Sequence, residues 1–417
     1  MIRIKLKGGA LYVAVIISIL ISIILSLFIV VAYYNIQSVQ SQNSLMQLHY
    51  SLDSGFEMAK SNYYNSNLAT TWQKMPYNND SIIVNKMPWG CFTLIDVKAK
   101  NNHFRIRKTG LFGTLATTDT ALMITEQNKP IGLAGHIKFK GMCYLPKAGI
   151  KTAYIEGSSF SDLNSLRPFI KPAPNYIPEI DENYLKSINV TQSELNSYTD
   201  SLISFIPETL NQSFENKTAV IQSGDIALSS QILSNNIKII SSDLITVENT
   251  CQLNNILLVA RKVIFKKGFK GTVHVIAKDS IVTEDECEFN YPSSFCVIAT
   301  NKVIKPSIEV KGIFFGKQCK LKGGLLASNN NNQTSRMMIK LNKDFELIGN
   351  LYCSDYADLQ GKLFGTIICK TILLQTESGT YDSHLLNSIL DPKRYGKNLT
   401  VPTWFSKNKY LSCAQWF

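Results

Sequence analysis

The stretch from Ala10 to Tyr34, ALYVAVIISILISIILSLFIVVAYY, runs for 25 residues without a charge, a proline or a glycine. As a helix rising 1.5 Å per residue it reaches about 37 Å, enough to cross a hydrocarbon core of roughly 30 Å with some tilt. Arg3, Lys5 and Lys7 precede it, and no charged residue follows until Asp53. The positive-inside bias then makes 1–9 a cytoplasmic leader and 10–34 a transmembrane helix, and it exports about 380 residues. Tyr33 and Tyr34 fall where an interfacial aromatic belt lies. A cleaved secretory signal is the competing reading, with Val30-Val31-Ala32 as its cleavage site; the run is longer than the usual h-region of roughly 7–15 residues. The expected location is the inner membrane, single-pass, with a cytoplasmic N-terminus and a periplasmic C-terminal domain.

Beyond the membrane segment, Leu45, Leu48, Leu52, Phe56 and Ala59 recur at three- and four-residue steps. That spacing predicts an amphipathic periplasmic helix over 35–62, continuous with the first as one rod. Gly55 costs such a helix about 1 kcal/mol relative to alanine, so a bend is tolerable there. Three stretches stand in order: Lys5-Leu6-Lys7-Gly8-Gly9, then Ala10-Leu11-Tyr12-Val13, then Ser51-Leu52-Asp53-Ser54-Gly55-Phe56-Glu57-Met58-Ala59. Together they resemble type IV pilins and pseudopilins, especially the minor subunits placed at filament tips. The resemblance implies processing by a prepilin peptidase after Gly8 or Gly9, so that Gly9 or Ala10 begins the mature chain. It also implies assembly through the helix that contains Leu11, Tyr12, Val13 and Ala14. Major pilins carry a glutamate five residues into the mature helix, where this chain has Val13 or Ala14. Tip-type pseudopilins lack that acid as well.

Residues 63–159 read as a β-rich region, with short apolar runs such as Ser81-Ile82-Ile83-Val84 and Cys91-Phe92-Thr93-Leu94-Ile95 between turn residues. Over 160–216 the pattern breaks. Pro168, Pro172, Pro174 and Pro178 mark a connector that cannot continue a sheet ladder, and Ser193 to Leu210 has the spacing of a short helix. Residues 217–380 carry an internal repeat. Segments beginning at Ile237, Ile256, Val273 and Phe295 align without gaps, each with an apolar opening and a small fifth residue: Ser241, Ala260, Ala277 and Ala299. A strand, a tight corner and a second strand make one rung of a β-solenoid, whose stacked rungs bury an apolar column. Leu347–Cys353 and Leu359–Ile367 resemble the glycine-marked rungs of bactofilins. The tail, 381–417, is expected to cap an open end of the stack. The fold expected is mainly β with one long N-terminal helix: a single transmembrane helix followed by a right-handed β-solenoid ectodomain.

Chemistry is harder to find. The formal charge is +12, and the part beyond the leader keeps +9 with its lysines scattered. This favours a solvated basic surface and an acidic envelope polymer as partner over nucleic acid. The nine cysteines form no CxxC pair and lie in apolar strand patterns, where a buried small hydrophobe is the default. The only dense acidic run, Glu284-Asp285-Glu286-Cys287-Glu288, offers oxygen ligands for Ca²⁺ or paired carboxylates, but it sits in a turn between rungs, where a solvated loop is the simpler reading. No phosphate-binding loop, dinucleotide fingerprint or Gly-x-Ser-x-Gly occurs. His136 and His274 have no nucleophile that spacing identifies. Trp404, Phe405, Trp416 and Phe417 suit a partner-binding patch or packing against the β body. No catalytic, metal or cofactor residue is therefore assigned. The leading expectation is a non-enzymatic, pilin-like or pseudopilin-like subunit whose partners are the membrane and other machinery subunits. A membrane-anchored β-helix acting on or binding glycans, and a bactofilin-like envelope scaffold, are the alternatives.

Overall fold

The computed structural model describes residues 9–61, 71–116, 119–182, 184–186, 188, 202–299, 310–329, 335–394, 399–402, 404 and 411–417. The chain divides into two compact units. The first comprises Met1–Phe56, Thr71–Ile83 and Val97–Arg107; the second comprises Glu57–Thr70, Val84–Asp96 and Lys108–Phe417. The protein is mainly β, with one long apolar helix at its N-terminus.

The helix spans Gly9–Lys60 and passes through Gly55 unbroken. It is long and apolar enough to cross a membrane. Its side chains are solvent-facing from Leu11 to Val39, whereas Leu48, Leu52 and Phe56 are at most 2% exposed. The second half is tied down by polar contacts within the first unit. Ser51 donates to the Asp80 carboxylate at 2.6 Å, Asn78 Nδ2 donates to Asp80 at 2.9 Å, and Asn101 Nδ2 donates to Ser44 Oγ at 3.0 Å. Also in this unit, Lys100 Nζ lies 4.2 Å from the centroid of the Trp72 ring, a cation–π contact.

The second unit is dominated by parallel strands whose pairings close on themselves. One column of paired positions shows the logic: Ile203, Ile221, Ile239, Leu258, Val275, Phe295, Leu325, Leu351 and Ile367 follow one another in register. Beyond Ile367 the column does not end. It continues into Leu122, Cys143 and Ile170, so strands from early in the sequence extend the stack past the late ones. Every member either belongs to one hydrophobic core or packs against it. The next column, Ile240, Val259, Ile276, Cys296, Leu326, Tyr352 and Ile368, points the other way into a second apolar cluster with Trp89, Phe92, Leu94 and Leu111. Strands covered on both faces read as nearly continuous apolar runs, which is why the 217–380 segments lack polar alternation.

The repeat aligned in the sequence holds in register for three of its four members: Ile237, Ile256 and Val273 are partners. The fourth is displaced by two residues, since Phe295 pairs with Val275 and Val297 takes the small-residue corner. A shift of two preserves which side faces the core, so the pattern of apolar residues alone does not detect it.

Different columns meet inside the core. Phe295, from the column of Val275 and Leu325, lies between Phe265 and Phe315 with rings nearly parallel, 4° and 2° apart in plane, at 5.7 and 5.6 Å. Gly323 (φ +147°) and Gly349 (φ +143°) are partners, and a Cβ on either would overlap a carbonyl oxygen of the preceding turn, of Ser293 and of Gly323 respectively. Only glycine permits that approach. On the outside, Lys270, Glu288, Lys320, Glu346 and Lys362 form one column of alternating sign. A second column runs Asp243, Arg261, Asp279, Lys311, with Arg261 bridging both aspartates at 2.5 and 2.9 Å and Lys311 bonded to Asp279. Opposite charges on adjacent strands favour this register over a slipped one.

The proline-rich connector lies along the side cluster. Pro174 O accepts from Glu126 N, Pro178 O accepts from Tyr352 Oη, and Tyr184 Oη donates to Cys91 O. Of the helix expected over Ser193–Leu210, 193–201 lies outside the described residues. The remainder holds strands at Leu202–Ile203 and Thr209–Gln212, because neighbouring parallel strands offer hydrogen-bond partners there. The tail also differs from an end cap. Thr400–Val401 and Leu411–Trp416 pair antiparallel with Arg105–Leu115, while Ser388–Leu390 belongs to the stack.

Because Phe295 supports two rings at once, Phe295→Ala is expected to lower the unfolding free energy by about 3–5 kcal/mol, and Phe295→Leu by less than half as much. Urea denaturation of the detergent-solubilised chain, followed by far-UV circular dichroism, checks both.

Candidate functional site

The residues singled out at the N-terminus lie on one exposed helical surface, except Gly8, which lies outside the described residues. Gly9 opens the helix and Ala10 follows it. Leu11, Tyr12 and Val13 are exposed by 75, 70 and 53%, and Ala14 is exposed as well. Tyr33 and Tyr34 are exposed and meet edge-on at 6.0 Å. Nothing chemical is assembled here; the surface is apolar apart from Ser18, Ser22 and Ser26, whose hydroxyls donate to carbonyls of the preceding turn, and it suits lipid or another apolar helix.

The acidic run is neutralised rather than gathered. Glu284 is bonded to Lys266 at 2.8 Å, Glu286 to Lys267 at 2.9 Å, and Asp285 Oδ1 accepts from Lys317 N at 2.7 Å. The Lys266 bond holds the Glu284 carboxyl below its ordinary value. Among the described residues no group of three or more His, Cys, Asp or Glu has the geometry to hold a metal. The cysteines are free thiols, all buried except Cys413. Burial pushes those of Cys143, Cys353 and Cys369 upward, away from the reactive thiolate.

His136 is exposed, whereas His274 is fully buried between the stack and its side layer. Its Nδ1 lies 2.9 Å from Ser294 Oγ, which in turn accepts from Cys91 N at 3.0 Å. Desolvation lowers its pKa to about 3, so the ring is neutral. With the Phe92 ring edge-on at 6.0 Å, it fills a position in the wall. The C-terminal aromatics pack on the same side layer. Trp404 is buried beside Tyr352 at 6.4 Å, Phe417 stacks on Phe214 at 4.0 Å, and Trp416 meets Phe112 edge-on. Phe405 lies outside the described residues.

A cleft unsuspected from the sequence lies elsewhere in the second unit, with a volume of about 320 Å³. It is lined by Glu156, Lys317, Lys340, Asn342, Lys343, Gln360, Gln375, Thr376 and Glu377, every one polar or charged. Stacking assembles it. Lys340 and Asp358 are partners on adjacent strands, and Lys317 and Lys343 come from turns whose backbones are joined by the Gln318 N to Lys343 O bond. Behind the lining, Asp358 is 0% exposed. Its Oδ1 accepts from Gln360 Nε2 at 3.3 Å and its Oδ2 from Gln375 N at 3.0 Å. Lys340 Nζ donates to Gln375 Oε1 at 3.4 Å, and Lys317 meets Glu377 at 3.7 Å. Burial raises the Asp358 carboxyl to about 6, and the two glutamine hydrogen bonds and Lys340 oppose the rise. The available signal was a spacing: Lys340 and Asp358 occupy paired positions on adjacent parallel strands, 18 residues apart.

No protein-family model matches this chain, and neither a curated protein nor a solved structure matches it.

Asp358 holds its proton more tightly folded than unfolded. The stability gained by protonation is fully present below about pH 3.8 and is lost as pH rises through about 6. Asp358→Asn, which mimics the protonated acid, is expected to exceed the wild-type chain in stability by about 2–3 kcal/mol at pH 8. That advantage should vanish near pH 4. Urea titrations of both chains across this range check it; His274 contributes equally to each and cancels.

Proposed function

We propose that this protein is a single-pass, envelope-anchored structural subunit, pilin-like or pseudopilin-like in assembly, and that it performs no catalysis itself. In this reading the parallel stack is a right-handed β-solenoid that displays its surface in the periplasm. The helix crosses the inner membrane with its N-terminus in the cytoplasm. The observation that carries the proposal is the division of labour along Gly9–Lys60. The same uninterrupted helix has an exposed apolar first half and a second half whose Leu48, Leu52 and Phe56 are buried. An ordinary anchor needs only its membrane-spanning length. A rod extended rigidly beyond that length, as in pilins, lets identical or related helices bundle while their heads remain outside. The solenoid reading draws support from the register, in which each turn pairs in parallel with the next through eleven successive links from Ile203 to Ile170.

Intact mass and N-terminal sequencing of the membrane-extracted native protein test the assembly reading. A mature start at Gly9 or Ala10, with a methylated amine, is expected. A start near Tyr33, or a retained Met1 or Ile2, overturns the pilin-like assembly.

A further inference from the structure

We infer that the cleft bounded by Lys317, Lys340, Lys343, Gln360 and Gln375 binds an anionic sugar unit of an acidic glycan.

Three observations lead there. The first is what the lining excludes. All nine side chains end in hydrogen-bonding or charged groups, so nothing favours a lipid, an aromatic cofactor or the apolar anchors of a peptide. At about 320 Å³ the cleft falls at the small end of the usual ligand-site range of about 300–1,000 Å³. A ligand that suits this surface carries many hydroxyls, each able both to donate and to accept.

The second is charge. Three lysines converge on a cleft with two glutamates, and both glutamates are at the exposed rim. The Lys317–Glu377 pair is loose and solvent-facing, with the glutamate side chain 94% exposed, so it yields readily to a ligand. Among the described residues, Lys343 has no acidic partner within salt-bridge distance. A carboxylate or phosphate on the ligand therefore finds charge-assisted donors.

The third is the buried carboxylate. Enclosing Asp358 carries a desolvation penalty, yet its Oδ1 is engaged by the Gln360 side-chain amide and its Oδ2 by the Gln375 backbone N–H. With Nε2 committed to Asp358, Gln360 has its carbonyl oxygen left as an acceptor. With Oε1 committed to Lys340, Gln375 has its Nε2 left as a donor. The cleft thus presents an acceptor held by Asp358, a donor held by Lys340, and the exposed cations of Lys317 and Lys343, the complement of a hydroxyl-rich ring bearing one negative group. Asp358 is a positioning residue in this arrangement.

The inference does not depend on how the N-terminus is processed, since it concerns the second unit alone. Isothermal titration calorimetry of the detergent-solubilised full chain tests it with three probes: an oligogalacturonate, a phosphate-bearing mannan oligosaccharide and a neutral malto-oligosaccharide. Binding of one acidic probe, or both, without the neutral one is expected, and the preferred probe identifies the anionic group as carboxylate or phosphate. Lys343→Glu and Lys340→Gln are each expected to weaken that binding by at least about tenfold while the melting temperature holds. Asp358→Leu is expected to lose about tenfold, and Asp358→Asn, whose single oxygen accepts from only one of Gln360 Nε2 and Gln375 N–H, to lose about threefold. Equal binding of the neutral probe, no binding of either acidic probe, or affinities indifferent to the lysine substitutions overturn the inference. Asp358→Leu and Asp358→Asn behaving alike would overturn the positioning role.

Discussion

Parallel, in-register stacking is the constraint on which the second unit depends. Once each strand pairs in register with its parallel neighbour, residues of matching position meet along a column. Gly349 then has to admit the Gly323 carbonyl, and across the core Phe295 has to fit between Phe265 and Phe315. The same geometry turns isolated surface charges into ladders, because Lys270, Glu288 and Lys320 differ in sequence yet share a column. Individually such exposed pairs contribute little. Their alternation matters more for register, since a slip of one residue would separate the opposite charges.

The cleft follows from the same rule. Residues 317, 340, 343, 360 and 375 are scattered along the chain, and only stacking brings their side chains to one place. A buried carboxylate whose two oxygens are met only by one side-chain amide and one backbone N–H is a costly arrangement for a plain wall. The alternating ladders show how this protein ordinarily treats its acids: Glu284 and Glu286 are paired with lysines in solvent. Asp358 departs from that habit, as do the buried Asp80 and Asp96, which are bonded to neutral side chains.

Much of the fold was legible in the sequence where a pattern had one physical meaning. Twenty-five uncharged residues after a basic leader admit few structures besides a helix, and the three- and four-residue spacing of Leu45, Leu48, Leu52 and Phe56 marks the buried face of its continuation. The repeat at Ile237, Ile256 and Val273 was visible because its apolar openings and the small residues Ser241, Ala260 and Ala277 coincide. The fourth member slipped by two because Ala299 mimics the corner that Val297 occupies, and parity hides the error. Long-range order was not legible. Nothing local announces that Leu122 lies beside Ile367, or that Thr400–Val401 joins an antiparallel sheet instead of closing an end. The strand at Leu202–Ile203 likewise owes its form to Val220–Ile221, not to its own composition. The cleft was illegible for the same reason, its residues being united only by the stack.

The continuation of the column from Ile367 into Leu122 bears on the order in which the molecule is made. Thr125 bonds to Lys370 across 245 positions of sequence. Strands synthesised early therefore wait for turns synthesised late, and a chain emerging from its N-terminus carries unpaired edges until about residue 370 has followed. Contacts this distant slow folding, and open edges invite pairing with other chains in the interval. Completion of the stack is thus a late event of biogenesis, and truncation ahead of Ile367 removes the seat of the strand at Thr120–Met123 as well.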